Sequence, residues 1–520
     1  MHIIEDRHPV WARTSRLSLV LSLIVMAVAC ASAQNGTPTA PIPTLKVTAR
    51  LIVLDVRVVD ASGHFVRGLD RSQFTVYEDR VPQNIVHFEA PLAPAPEAPP
   101  VHSTDDLLKH EAPYVNVLVI DELNTPISEI ARARVALTTY LEHQPAVLPV
   151  PTLFVASGAS RLAVLHDFTQ DRDDLLAALK AHVTDADFRA LSNQLAGGSM
   201  KPADGFAKTL GALSQLASSL PGIRGHKNVL WVGSGFDKAY DLTSAGSNDT
   251  EAIEAALRTV TARMIDARMS LSTLDPEGMD TQAAEENVDA EATLGGGGNS
   301  LTSFSDGISF DELARTTGGA VVHGRNDLFA LISTNTAGEF YTITYRPADT
   351  SGAAPDFHKI RVVMKNPSLT AITRTGYFPA IIAPQPATPS EAGQQKRQSN
   401  FDLLSAASSR LDYTGLHVAA SKLSATAFRV QVGANELTWT SAGSQRTADV
   451  SVLAVAFDSK GKILAQRATT FHERIKETDQ TFGAHITLEV PLNVPHGAQR
   501  VRFVVRDPGA GSVGSFELAP

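Results

Sequence analysis

The sequence predicts a multidomain protein of mixed class: an α/β unit with an open, doubly wound, mostly parallel sheet, inserted in or flanked by β-sandwich modules. Three observations predict it. The middle of the chain alternates short, almost wholly apolar runs with stretches whose apolar residues recur at helical spacing, as strands covered by helices on both faces require. The regions on either side alternate apolar and polar residues with a period of two, the pattern of half-buried antiparallel strands. Proline-bearing stretches separate the two kinds of region, and proline lacks the N–H that a sheet ladder needs.

The elements follow in order. Arg7, Arg13 and Arg16 precede an unbroken apolar or small run, Leu17–Ala29. As a helix this run rises about 20 Å, short of a bilayer core of roughly 30 Å. Ala31-Ser32-Ala33 then supplies the small-x-small pattern of a signal peptidase site. Residues 1–33 are expected to be a signal peptide cut after Ala33, which makes the protein secreted or periplasmic. The alternative, lipidation of Cys30, is disfavoured because Ala27 stands where a lipobox usually has leucine.

Residues 45–89 predict a β module: LIVLDVRVV alternates by two, QFTVYE and NIVHF are further short strands, and DASG is a turn. Residues 90–111 are expected to be a linker, stiffest over APLAPAPEAPP. Residues 112–335 carry the α/β pattern. YVNVLVI is the first buried strand; DRDDLLAALKAHV is a helix with acidic residues at its positive dipole end; NVLWV and SLSTL are later strands. Period two returns over 339–379 with EFYTITY and KIRVVMK, so these strands are expected to complete the first β module around an inserted α/β domain. Residues 380–400 are expected to be a second linker. Residues 401–520, with FRVQV, VSVLAVAFD, HITLEV and RVRFVVRD, are expected to form a separate C-terminal β-sandwich.

Composition narrows the function. The 520 residues include 45 Lys plus Arg against 55 Asp plus Glu, a formal charge of -10, with 43% hydrophobic residues and one cysteine. An acidic chain has no general attraction for phosphate backbones or anionic lipid, so no nucleic-acid partner is expected. A lone cysteine excludes a disulfide scaffold and Cys-ligated zinc or iron–sulfur sites. Removing residues 1–33 leaves 42 basic against 53 acidic residues, a net charge of -11, and no later apolar run long enough to span a membrane.

Ligands of open α/β sheets bind beyond the carboxyl ends of the strands. The first such loop is Asp121-Glu-Leu-Asn-Thr125, directly after YVNVLVI. Here residues 112–335 resemble the von Willebrand factor A family, whose first strand ends in an Asp-x-Ser-x-Ser metal-binding loop. HDFTQDRDDLLAAL and KNVLWVGSGFD follow in the expected order. With the flanking segments VVDASGHFVRGLDRSQFTVYEDRVPQNIVHF, FYTITYRP and FHKIRVVMKNPSLTAITRTGY, the chain is similar to the secreted A-domain proteins of Acidobacteria.

The resemblance implies a metal-ion-dependent adhesion site in which Asp121 matches the first aspartate, Thr125 the second hydroxyl and Ser199 the threonine of the second loop. Leu123 replaces the first serine, and Ser234 replaces the other aspartate. A site with so few carboxylates is degenerate, and the expected cofactor is none or a weakly held Mg2+. Asp121, Asn124, Thr125, Ser199 and Ser234 are the expected binding surface. The plainer reading is that Asp121 and Asn124 cap the following turn and helix.

Other motifs fall short. Gly233-Ser-Gly235 does not complete G-x-S-x-G, and the glycine run Gly295–Gly298 lacks the G-K-[ST] ending of a phosphate loop. The expected function is therefore a non-enzymatic protein of the cell envelope that binds or adheres to a protein partner. The alternatives are a secreted hydrolase using Ser234 or a bound metal, and a purely structural scaffold.

Overall fold

A computed structural model describes residues 51–91, 99–110, 112–158, 162–184, 202–235, 247–276, 310–323, 325, 327–336, 338–347, 357–378, 389–442, 445–476 and 484–520. The expectations for the signal peptide and Cys30, for Ser199 and for Gly295–Gly298 lie outside these residues. The N-terminal strands are β1 (Ile52–Val59), β2 (Phe74–Glu78), β3 (Val81–Gln83) and β4 (Ile85–Glu89). Ile52, Leu54, Val56 and Val58 of β1 are buried while the residues between them are partly exposed, so the alternation by two buries one face.

The α/β unit follows. Its first helix, α1 (Thr104–Lys109), lies inside the stretch 90–111 expected to be linker. Ser103 caps it by accepting from Asp106 N, and the Thr104 hydroxyl donates to Asp167 at 2.6 Å. The cap and the Asp167 contact, 63 positions away, give a short segment a reason to be helical that periodicity does not reveal. Then come β5 (Tyr114–Asp121), α2 (Ile127–Glu142), β6 (Val147–Ser157), β7 (Leu162–Asp171), α3 (Arg172–Ala181), α4 (Pro202–Ser219), β8 (His226–Val232), α5 (Ser247–Asp266), β9 (Met269–Leu274), α6 (Phe310–Thr317), β10 (Val321–Val322) and α7 (Leu328–Thr336). Asp171 caps α3 by accepting from Asp173 N and Asp174 N, which gives the acidic helix start a role beyond its dipole.

The strand order is β10-β9-β8-β5-β6-β7, parallel throughout except for antiparallel β7 at the edge. Val115, Val117, Val119, Val229 and Trp231 face one core with α4, α5 and α6; Leu118, Ile120, Leu230 and Val232 face the other with α2, α3 and α7. Burial on both faces explains the unbroken apolar runs.

The chain then returns to the first module with β11 (Tyr341–Tyr345), β12 (His358–Met364), β13 (Thr370–Ile372) and β14 (Gly376–Tyr377). Its two sheets have the orders β13-β1-β11-β4 and β14-β12-β2-β3, so strands from before and after the α/β unit alternate in the first and pair through β12 and β2 in the second. Leu54, Val76, Tyr341, Ile343 and Tyr345 fill the space between them.

The C-terminal region departs from expectation. Residues 389–408 form a helix, α8 (Pro389–Ser408), where the sequence reading places the end of a linker and the start of a separate sandwich. Beyond it run β15 (Val418–Lys422), β16 (Ala427–Gly433), β17 (Thr440–Ala442), β18 (Gln445–Phe457), β19 (Ile463–Lys476), β20 (His485–Pro491), β21 (Arg500–Arg506) and β22 (Val513–Leu518). They make one sheet of β15-β16-β20 and another of β17-β18-β21-β22 with β19 on β18. Val450, Val452, Ala454 and Ala456 of β18 point into the sandwich, whereas Leu453, Val455 and Phe457 point outward into the core that holds α4 and α8. The C-terminal sheets are thus not separate: they share a hydrophobic core with the α/β unit through Leu216, Ala217 and Leu220 of α4 and Leu403, Ala406 and Ala407 of α8.

Candidate functional site

Strand order places the site. From β5 the chain winds outward through β6 to one edge, then returns to β8 on the other side of β5. The reversal lies between β5 and β8, and the crevice beyond their carboxyl ends is where an open α/β sheet binds ligands. Asp121 closes β5, and Gly233-Ser234-Gly235 follows β8.

The Asp121 carboxylate holds these two loops together. Its Oδ1 accepts from Leu123 N at 3.0 Å and Asn124 N at 3.2 Å, and its Oδ2 accepts from Asn124 Nδ2 at 3.3 Å and Gly235 N at 2.9 Å. Asp121 is wholly buried, and burial raises its pKa above the ordinary carboxylate value, with the Trp231 indole and the amides of Asn124 and Leu123 acting against it. Thr125 Oγ1 accepts from Ser234 N at 2.9 Å, and Asn124 Nδ2 also donates to Thr209 of α4 at 2.9 Å. Gly233 N donates to Leu274 O at 2.9 Å, which ties the same loop to β9. A Cβ on Gly233, at φ +146, would stand 2.4 Å from both Asp121 Cβ and Thr125 Oγ1, so only glycine lets the loops approach this closely.

Of the five residues expected to form the binding surface, Asp121 and Thr125 are buried supports, Asn124 and Ser234 are half-buried, and Ser199 lies outside the described residues. The turn that Asp121 caps is separate from the helix after it, because α2 starts behind Pro126, which makes no side-chain cap. Leu123, in the place of the first serine, is 1% exposed and belongs to the interior. Glu122 is buried and engaged by other groups: it lies 2.8 Å from His182 Nε2 and accepts from the Thr184 hydroxyl.

Among the described residues, which leave out Ser199, the oxygens here do not fit an octahedral Mg2+ ion, which needs free oxygen lone pairs at about 2.0–2.1 Å. Both Asp121 oxygens already accept two N–H groups each, and a cation there would face those N–H dipoles. Among the described residues no histidine or carboxylate hydrogen-bonds to the Ser234 hydroxyl.

Further along the same carboxyl edge stands a group that sequence reasoning missed. His323, just beyond β10, lies between two carboxylates: its Nδ1 is 3.5 Å from Asp275, at the end of β9, and its Nε2 is 2.8 Å from Asp311 of α6. Hydrogen bonds to Asp275 and Asp311 push its pKa up to about 9, so it is a cation at neutral pH. Its partners stand 48 and 12 positions away in the chain, at a spacing no motif records.

No protein-family model and no curated protein matches the chain. Solved structures similar to it include the TFIIH p34 N-terminal domain, at 15% identity over 44% of this chain and 98% of that one, with a TM-score of 0.22. They also include the SpRpn10 VWA domain, at 12% identity over 43% of this chain and 95% of that one, with a TM-score of 0.22. A β-glucuronidase of glycoside hydrolase family 2 aligns at 13% identity over 21% of this chain and 11% of its own, with a TM-score of 0.11. At these scores the architecture rests on strand order and register alone.

Proposed function

We propose that the chain is an exported, non-enzymatic binding protein of the cell envelope, whose α/β unit docks a protein partner on the carboxyl edge of its sheet and needs no Mg2+ to do so. The observation that carries this reading is the bracing of the switch-point loops by the Asp121 carboxylate. Loops fixed before binding cost less to order in a complex, and groups on rigid elements hold their geometry. The arrangement of the β module supports it as well. Asp55 of β1 meets His226 at 3.0 Å and Arg268 at 3.1 Å, at the amino ends of β8 and β9, so β1 is anchored at the end of the sheet opposite the crevice.

The test is cross-linking of the purified chain to envelope proteins of its source cells, with and without a chelator. Ser234→Arg and His323→Glu, on the carboxyl edge, are expected to abolish a cross-link that Val363→Arg on β12 retains, and the chelator is expected to change nothing. A partner retained by both edge variants, a cross-link that requires Mg2+, or the absence of any partner would each overturn the proposal.

A further inference from the structure

Among the described residues, one group of three His, Asp or Glu side chains brings its ligand atoms within 4.8 Å of one another: Glu78, Asp79 and His358. It lies in the β module, away from the crevice. Glu78 ends β2, Asp79 begins the turn to β3, and His358 opens β12 from the far side of the inserted α/β unit. His358 Nδ1 is 2.8 Å from Asp79 Oδ2 and 3.4 Å from Glu78 Oε1. A tetrahedral zinc ion with ligands at about 2.0–2.1 Å has ligand-to-ligand edges of about 3.3 Å; the Glu78 separation matches that edge, and the Asp79 separation, a hydrogen-bonded pair without the ion, has to widen by about 0.5 Å to admit it.

We infer that Glu78, Asp79 and His358 form a divalent transition-metal site of the zinc class that staples the β2–β3 turn to β12. The two carboxylates are already oriented by outer partners, as ligands of protein-bound metals are. Tyr345 donates to Glu78 Oε2, Tyr377 donates to Glu78 Oε1 at 3.0 Å, and Lys359 N donates to Asp79 Oδ1 at 2.9 Å. The His358 ring stacks on Tyr377 with centroids 4.8 Å apart and planes 19° apart. These contacts leave Glu78 Oε1 and Asp79 Oδ2 turned toward the imidazole nitrogen.

Charge points the same way. Two carboxylate oxygens, one of them from a Glu78 that is 6% exposed, face a single imidazole nitrogen, and a divalent cation is the group that two carboxylates and one imidazole hold together. Asp79 is partly exposed, which opens a path for the ion and room for water as a fourth ligand.

The experiment is titration of Zn2+ into the chelator-treated full chain by calorimetry, with Co2+ absorption as an independent report of tetrahedral geometry. One equivalent is expected to bind, and Asp79→Asn and His358→Gln are expected to weaken it on the order of 10–100-fold or more, since loss of an outer partner alone costs that much. Asp79→Asn alters a partly exposed turn residue, so it keeps the test readable where a variant at buried Glu78 fails to fold. Binding that persists undiminished in both variants, or a wild-type chain that takes up no stoichiometric Zn2+ and is held there by ion pairs only, overturns the inference.

Discussion

Asp121 shows how one side chain decides what a loop can do. A carboxylate at the end of a central strand is what the sequence offers, and it invites a metal. Its four N–H donors come from its own turn and from Gly235 across the crevice, and they turn it into a brace. The position of Asp121 was readable from the apolar run before it; the Gly235 contact, 114 residues away, was not. His323 is the reverse case, a histidine without a motif that the fold sets between two carboxylates. Its folded pKa of about 9 stands above the ordinary 6.5, so its stabilisation is fully present below about pH 6.5 and is lost as pH rises through about 9. Titration of the His323 ring by NMR should give a midpoint near 9, falling toward the ordinary value in Asp275→Asn. Because His323 is half-exposed, solvent weakens the pairs, and its effect on stability is expected to be small.

Among the elements, α8 teaches most. Its first half, PSEAGQQKRQSN, is polar and reads as a linker, and Asp402, Leu403, Ala406 and Ala407 near its end are buried. The signal for it sat elsewhere. VLAVAF in β18 is apolar at every position, and a strand apolar on both sides needs a cover on both sides. The cover is fastened by charge: Arg506 of β21 meets Asp402 of α8 at 3.0 Å, and Arg263 of α5 reaches the same carboxylate at 3.7 Å. Arg502 donates to Ala406 O at 3.0 Å, in the last turn of α8, and to Leu411 O in the segment after it. Arg506→Met removes the arginine that meets the buried Asp402 carboxylate at 3.0 Å. It is expected to cost about 3 kcal/mol in chemical denaturation, the scale for breaking one side of a buried pair. A loss near zero would mean that Arg263 takes over the charge.

At the scale of the molecule, an α/β unit interrupts a β module whose sheets close only when both flanking segments are present. β1 pairs with β11 and β13, and β2 with β12, across more than 200 positions of intervening chain. The return of period two after the helical region made this pairing legible, because the same alternation on both sides requires the same kind of partner. The buried cluster beneath the sheet was not legible. Asp55, isolated in an apolar strand, is held well below the ordinary carboxylate range: burial acts to raise it, and His226 and Arg268 together outweigh that. This cluster locks β1 beneath the parallel sheet and leaves the carboxyl edge to the loops that Asp121 braces. The most direct measurement of that central claim is chemical denaturation of the full chain and of Asp121→Ala, each with and without Mg2+. The wild-type midpoint is expected to be the same in both conditions, and the variant to be less stable by about 2–4 kcal/mol in both, the cost of leaving buried N–H donors without an acceptor. A rise in wild-type stability on adding Mg2+ that the variant lacks would make Asp121 a metal ligand and contradict the account.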